Sequence, residues 1–261
     1  MGCVCEDSLQ KLLSILDMQR KVVGIKFLFT KEDYNKCPVD QAKIPMNYCV
    51  MVKLATHGYS IKTNLEFCAC SGGTRAIGLD QPSEKFKTGC EYFSFGLYKD
   101  LAIAKNEVNN MTFCNHKIYG VMIAPLEKYE EKPDVVIMVT NSYNAMRIIQ
   151  AYTYEFGTQC NFKMTGNQAI CSECTAYPFE TNSMNISMLC AGTRYYAGWS
   201  DTELALGIPY GKFISLCDGV FETANGAERN EKKEQIYKRL AKTNLDGSNI
   251  ILNQAYFMRE K

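Results

Sequence analysis

The stretch Cys70-Ser71-Gly72-Gly73-Thr74-Arg75 has a close counterpart later in the chain, Cys190-Ala191-Gly192-Thr193-Arg194. Each copy is preceded by another cysteine, Cys49 in the first and Cys171 in the second, on a predicted helix. A strand-like run then leads into each glycine turn. Internal self-similarity of this kind indicates repeated architecture. The sequence therefore predicts two pseudo-symmetric halves whose packing brings four thiols to one point.

Helical and strand-like segments alternate along the rest of the chain. Apolar residues at helical spacing predict helices over 6–20, 46–56, 100–110, 143–156 and 231–243, and a weaker pattern predicts one over 201–206. Apolar runs of strand length predict strands over 22–29, 118–125 and 133–140, with a last one over 250–257. We expect an α/β or α+β fold in which a mixed sheet with flanking helices packs as one globular unit.

The predicted joint between the halves is the charged run 126–133. The first half comprises residues 1–126 with the Cys49/Cys70 unit. The second comprises residues 127–261 with the Cys171/Cys190 unit and a C-terminal helix. A charged run of this length is equally compatible with a hairpin loop on the surface of one domain.

Charge and hydropathy argue against several classes of protein. The formal net charge is +1 and the acidic and basic residues are interspersed, which disfavours a broad nucleic-acid-binding face. No apolar stretch reaches the about 18 residues of a transmembrane helix, and the first residues do not resemble a secretory signal. We therefore expect a cytoplasmic protein that takes a small-molecule substrate or a redox partner, with a homo-oligomeric state left open.

Thirteen cysteines stand against only two histidines, His57 and His116. A reducing compartment disfavours a disulfide framework, and an odd number leaves at least one thiol unpaired. Sulfur ligands point to iron–sulfur clusters, zinc or copper(I), whereas many free cysteines are only small buried hydrophobes. The functional hypotheses therefore concern a minority of the cysteines.

Four cysteines belong to the repeat, and we predict that they are metal ligands: Cys49, Cys70, Cys171 and Cys190. We expect a 4Fe–4S cluster between the two halves, because such clusters take four thiolates. Three further cysteines lie beside a predicted ligand or follow a glycine and are reserve ligands: Cys68, Cys90 and Cys174.

The residues after the ligands in each copy suggest how a cluster would be surrounded. Three glycines would let the backbone approach and direct its N–H groups at the sulfurs: Gly72, Gly73 and Gly192. Arg75 and Arg194 would add positive charge or bind an anionic substrate. Thr74 and Thr193 would cap the short helices that follow.

These residues favour an iron–sulfur protein that transfers electrons or reduces a small substrate. One alternative is a non-enzymatic module in which the glycine turns and arginines bind a small anionic metabolite. Another is a structural zinc site made of thiolates. Because no phosphate-binding loop and no nucleophile elbow occurs, the sequence leaves open whether the protein is an enzyme.

The order of these features resembles the domain of unknown function family 169. The features are the strand over 22–29, Cys49, Cys70-x-Gly-Gly, the strand over 135–141 with its helix, Gly166, Cys171, Cys190-x-Gly-x-Arg and Ile208-Pro209, over about residues 8–225. The resemblance implies that the family's functional cysteine positions correspond to the four repeat cysteines of this chain. It also implies an anaerobic bacterial or archaeal setting, which suits an oxygen-sensitive cluster. This chain departs from the family in its many extra cysteines.

Overall fold

The computed structural model describes residues 5–225 and 227–247, and its centre is a six-stranded sheet. The strands are β1 (Val23–Leu28), β2 (Ile61–Asn64), β3 (Gly120–Pro125), β4 (Val135–Thr140), β5 (Asn185–Ser187) and β6 (Leu204–Pro209). Their order is β2-β3-β1-β4-β6-β5, and each neighbouring pair is antiparallel. Since the sheet is antiparallel and the helices flank it, the fold is α+β.

Helices connect and cover the strands. In the described chain the α-helices are α1 (Glu6–Ile15), α2 (Lys31–Lys36), α3 (Tyr48–Thr56), α4 (Ser71–Ala76), α5 (Glu84–Lys87), α6 (Cys90–Ser94), α7 (Leu101–Asn110), α8 (Ser142–Phe156), α9 (Tyr177–Thr181), α10 (Ala191–Ala197), α11 (Tyr210–Glu222) and α12 (Asn230–Leu240). A π-helix occupies Ala169–Ala176, directly before α9. No helix of the described ranges is long and apolar enough to cross a membrane.

The sheet separates two layers of apolar side chains. Strand β4 shows why, because its residues are all buried and alternate between the layers. Val136 and Met138 pack with α1, α8, α11 and α12. Val135 and Ile137 pack with α3, the π-helix and the segment around α10. Helices α5 to α7 form a separate lobe around Phe86. The second layer is the one that holds the candidate site.

The strand order bears on the predicted halves. Strands β1, β2 and β3 come from the first half and β4, β5 and β6 from the second, and β1 pairs with β4 at the centre. From this central pair outward, the order is β1-β3-β2 on one side and β4-β6-β5 on the other. In each predicted half, the first strand is therefore central, the third is next to it and the second is at the sheet edge. Two halves related by an axis between β1 and β4 would give this order. The relation between the halves, and the boundary between them, stay predictions.

The structure contradicts one sequence-based expectation about local structure and excludes one alternative that the sequence left open. Residues 201–206 were expected to be helical, but Leu204–Pro209 is strand β6, because its apolar side chains are buried between β4 and β5. The run 126–133 is not a hairpin loop, because β1 lies between β3 and β4 in the sheet. The strand expected over 250–257 lies outside the described residues.

Candidate functional site

The four repeat cysteines lie on four different elements of one layer. Cys49 is in α3 and Cys171 is in the π-helix, while Cys70 and Cys190 immediately precede α4 and α10. Helix α3 contacts α4, α10 and the π-helix, and α4 also contacts the π-helix. All four side chains are partly exposed. The site is therefore at the surface, where four chain segments meet.

Electrostatic coupling shows that the four sulfurs are neighbours. Burial raises the pKa of the Cys171 thiol well above its ordinary value, and the sulfurs of Cys70, Cys190 and Cys49 raise it further. Burial also raises the pKa of Cys49 to about 11, again with contributions from Cys70 and Cys190. Such repulsion between thiolates acts over short distances. The fold therefore brings together the thiols that the sequence selected.

Cys70 and Cys190 cap the two short helices that follow them. The Sγ of Cys70 accepts a hydrogen bond from Gly73 N at 3.3 Å, and the Sγ of Cys190 accepts one from Thr193 N at 3.3 Å. The expectation that Thr74 and Thr193 cap these helices is therefore wrong, since α4 already begins at Ser71 and α10 at Ala191. The same contact in both copies directs backbone N–H groups at a sulfur.

The predicted glycines lie in the first turns of α4 and α10. A Cβ atom at Gly72 would be 3.7 Å from Cys70 Sγ, and one at Gly192 would be 3.9 Å from Cys190 Sγ. At Gly73 the space for a side chain is limited by α3, because an added Cβ atom would lie 3.1 Å from the Cβ atom of Tyr48. These glycines therefore leave bare backbone beside the sulfurs, as the sequence predicts.

Side chains from segments far apart in the chain hold the site elements together. The Thr193 hydroxyl, in α10, opposes the burial-driven rise in the pKa of the Cys49 thiol of α3, and it accepts a hydrogen bond from Trp199 Nε1 at 3.2 Å. The hydroxyls of Tyr48 in α3 and Thr175 in the π-helix are 3.0 Å apart. The sequence does not single out Tyr48 or Thr175. The only indication is that Tyr48 adjoins Cys49 and that Thr175 lies four residues after Cys171.

The π-helix that carries Cys171 is pressed against the sheet. At Gly207 of β6 a Cβ atom would lie 2.1 Å from the carbonyl oxygen of Cys174. On the other side of the helix, the buried Glu173 carboxylate accepts from Thr165 N at 2.6 Å and from the Ser187 hydroxyl. Burial raises the pKa of Glu173, while these donors oppose the rise. Single π-helical turns are rare and occur frequently at functional sites.

The two predicted arginines are engaged within the protein. Arg75 is buried and binds both carboxylate oxygens of Glu91, with N–O distances of 2.8 and 3.3 Å, and its guanidinium lies over the Phe86 ring. Arg194 donates to the carbonyl oxygens of Met188, Ser200 and Glu203. Both side chains therefore stabilise the segments next to the thiols.

The reserve cysteines have different surroundings. Cys68 is buried next to the site: burial raises the pKa of its thiol to about 11, the backbone N–H groups of Cys70 and Tyr48 lower it, and the Cys70 and Cys49 sulfurs raise it. Cys174 is fully buried in the apolar layer against the sheet. Cys90 begins α6 in the separate lobe. Of the three, the structure places Cys68 beside the four thiols.

Within residues 5–225 and 227–247, no three His, Cys, Asp or Glu side chains are grouped closely enough to hold one ion together.

The chain is similar to uncharacterised proteins. The family model DUF169, described as "Uncharacterised ArCR", matches residues 11–219. A similar curated protein is the "Uncharacterized protein MJ0308" of Methanocaldococcus jannaschii, which is 25% identical over 218 residues, covering 82% of this chain and 92% of its own. No solved structure matches the chain.

Proposed function

We propose that this chain, which belongs to the DUF169 family described only as uncharacterised, binds an iron–sulfur cluster. The proposed ligands are Cys49, Cys70, Cys171 and Cys190, and the proposed cluster is of the 4Fe–4S type. The function would be redox, either electron transfer or reduction of a small substrate. The observation that carries the proposal is the meeting of these four thiols from four separate elements.

The donor set fits the chemistry of such a cluster. A 4Fe–4S cluster presents four irons, each of which binds one thiolate. Four thiols that are electrostatically coupled and come from four separate elements supply the number of ligands that such a cluster needs. They come from both halves of the sheet, so the cluster would join the halves.

Backbone groups around the sulfurs also support the proposal. A cluster with four thiolates carries a net negative charge, which N–H donors to sulfur stabilise. Gly73 N and Thr193 N already donate to Cys70 and Cys190. Cluster binding would require the thiols to lose their protons, so the raised pKa of Cys49 and Cys171 makes loading favourable at higher pH.

Partial exposure of the four cysteines agrees with a redox role, because an electron must reach the cluster from outside. The arginines favour this function over an anion-binding module. Both guanidinium groups are occupied by Glu91 or by backbone carbonyl oxygens of the protein itself. A cytoplasmic, reducing location would keep the thiols available.

The direct test is anaerobic purification and reconstitution with iron and sulfide, followed by metal and sulfide analysis. We expect a brown protein with about four irons and four sulfides per chain and visible sulfur-to-iron charge-transfer absorption. A colourless protein without iron after reconstitution would overturn the proposal. One zinc per chain would instead support the structural zinc alternative.

Single Cys→Ser variants locate the cluster. Cys49→Ser, Cys70→Ser, Cys171→Ser and Cys190→Ser should each lose most of the iron and the visible absorption. Cys160→Ser is the matched control, because Cys160 is exposed and lies in a connecting segment before the π-helix. Equal iron in all five variants would show that the cluster lies elsewhere.

A further inference from the structure

The side chain of Gln168 is an unusual buried polar group beside the candidate site. Gln168 immediately precedes the π-helix and is only 2% exposed. Its Nε2 is 2.8 Å from the hydroxyl of Tyr92. Its Oε1 is buried and has no hydrogen-bond partner among the described residues. Buried polar atoms are nearly always paired, so an unpaired one calls for an explanation.

The carboxamide lies close to the predicted ligands. A Cβ atom at Gly72 would be 3.6 Å from Gln168 Nε2 and 3.7 Å from Cys70 Sγ, so the amide and the thiol border the same small space. Burial raises the pKa of Tyr92, and the nearby Cys171 sulfur adds to that rise. The Gln168–Tyr92 pair thus lies near two of the four thiols.

The hydrogen bonds of the amide show which of its atoms is free to act at the site. Nε2 carries two hydrogens, and one of them is donated to the Tyr92 hydroxyl at 2.8 Å. No residue of the described chain accepts the second hydrogen, and none donates to Oε1. Tyr92 therefore holds the amide in place, and the second N–H of Nε2 is available in the space that Nε2 borders with the Cys70 thiol.

We propose that Gln168, oriented by Tyr92, donates a hydrogen bond from Nε2 to a sulfur of the cluster site and thereby raises the reduction potential of the cluster. This inference rests on the proposed function. Reduction adds negative charge to the cluster, and a donor to sulfur stabilises the more negative state. Gln168 is therefore a positioning residue that tunes the cluster without binding iron.

The test is the midpoint potential of the reconstituted protein, measured with iron and sulfide content. Gln168→Met keeps the length of the side chain and removes both N–H donors. We expect wild-type iron and sulfide content with a lower midpoint potential. Gln150→Met is the matched control, because Gln150 is exposed on α8 in the other layer, and its potential should equal that of the wild type.

Tyr92→Phe is the second variant, because it removes only the hydroxyl that orients the amide. We expect a shift in the same direction, smaller than that of Gln168→Met. If Gln168→Met loses the cluster, the midpoint potential of Tyr92→Phe is the deciding measurement. A cluster-containing variant with the wild-type potential overturns this inference and leaves the proposed function standing. A wild-type protein that binds no iron refutes the proposed function first, and this inference with it.

Discussion

Gly207 is the residue at which one added methyl group should disturb the site without removing a ligand. A Cβ atom there would lie 2.1 Å from the backbone oxygen of Cys174, and backbone in a buried helix has little room to move. We expect Gly207→Ala to destabilise the protein by about 1–3 kcal/mol. It should also lower the iron content, because the displaced π-helix carries Cys171.

Urea unfolding and iron analysis check this expectation. Gly211→Ala is the control, since nothing lies within 4 Å of a Cβ atom at Gly211 in the first turn of α11. That variant should be as stable as the wild type or up to about 1 kcal/mol more stable, because alanine restricts the unfolded chain. Equal effects of the two substitutions would contradict the close-contact argument.

The Cys49 thiol should be unreactive at neutral pH in the metal-free protein. Burial raises its pKa to about 11 from an ordinary 9.0, and the thiolate is the nucleophile. The stabilisation from the neutral thiol is fully present below the unfolded-state pKa and is lost as the pH rises through 11. Alkylation of Cys49 by iodoacetamide, followed by peptide mass spectrometry, should therefore accelerate up to that pH.

Exposed Cys160 serves as the internal reference in the same sample. It should be labelled before Cys49 at neutral pH. Labelling of Cys49 as fast as that of Cys160 across the whole pH range would show that the thiol is neither buried nor coupled to the other sulfurs.

At the level of single residues, the sequence identifies the four cysteines because the repeat sets them apart from nine others. It could not identify Tyr92 or Thr175. Their roles depend on contacts between segments far apart in the chain, and their residue types are common in ordinary turns and cores. The partners of Arg75 and Arg194 could not be predicted from the sequence either, because they too depend on the fold.

Helix α4 offers a way to separate capping from metal binding. Cys70 is its N-cap, and serine is a better N-cap than alanine. We expect Cys70→Ser to keep the stability of the metal-free protein and Cys70→Ala to lose about 1 kcal/mol. Both variants should lose the iron, since neither supplies a thiolate.

The measurement is urea unfolding of the metal-free proteins beside iron analysis of the reconstituted ones. The same pair of substitutions at Cys190 should behave alike, because Cys190 caps α10 through the same contact. Full iron content in Cys70→Ser would assign Cys70 to capping alone.

Helices and strands with strong local signals agree with the sequence, and the exceptions have physical causes. Asn141 caps α8 and Gly157 ends it, as the pattern predicts. Strand β6 was missed because its short apolar run fits a helix or a strand equally, and only pairing with β4 and β5 decides. Helix α2 was missed although Thr30 and Asp33 form a capping box. No sequence pattern announces a π-helix.

Because the sheet separates the two layers, a substitution that destabilises one layer should leave the site in the other layer intact. Arg147 and Glu228 form an ion pair with both side chains about 5% exposed, on the α8 side of the sheet. Glu228→Gln would leave Arg147 buried without a countercharge. We expect a loss of about 3–5 kcal/mol in the free energy of unfolding.

Iron per folded chain should nevertheless match the wild type, because the thiols lie in the opposite layer. Glu32→Gln is the control, as the Glu32–Lys36 pair is exposed on α2 and such pairs contribute little. Denaturation and iron analysis of both variants provide the check. Loss of iron from folded Glu228→Gln would indicate that the two layers are coupled.

For the whole molecule, composition and periodicity suffice for an α/β or α+β protein whose sheet has flanking helices, and the antiparallel pairing decides for α+β. They do not give the strand order, because β1 pairs with strands that follow it by some 100 residues. The repeated cysteine units suggested that distant segments meet, and the central β1–β4 pair is where the two parts of the chain join.

The position of the four cysteines along the chain sets a timetable for assembly in the cell. Translation at about 5–20 residues per second takes roughly 5–20 s to cover the about 100 residues between Cys70 and Cys171. Throughout that interval the nascent polypeptide has only the first two of its proposed ligands. A cluster donor acting on the ribosome would meet half a site, so loading should follow release of the finished chain.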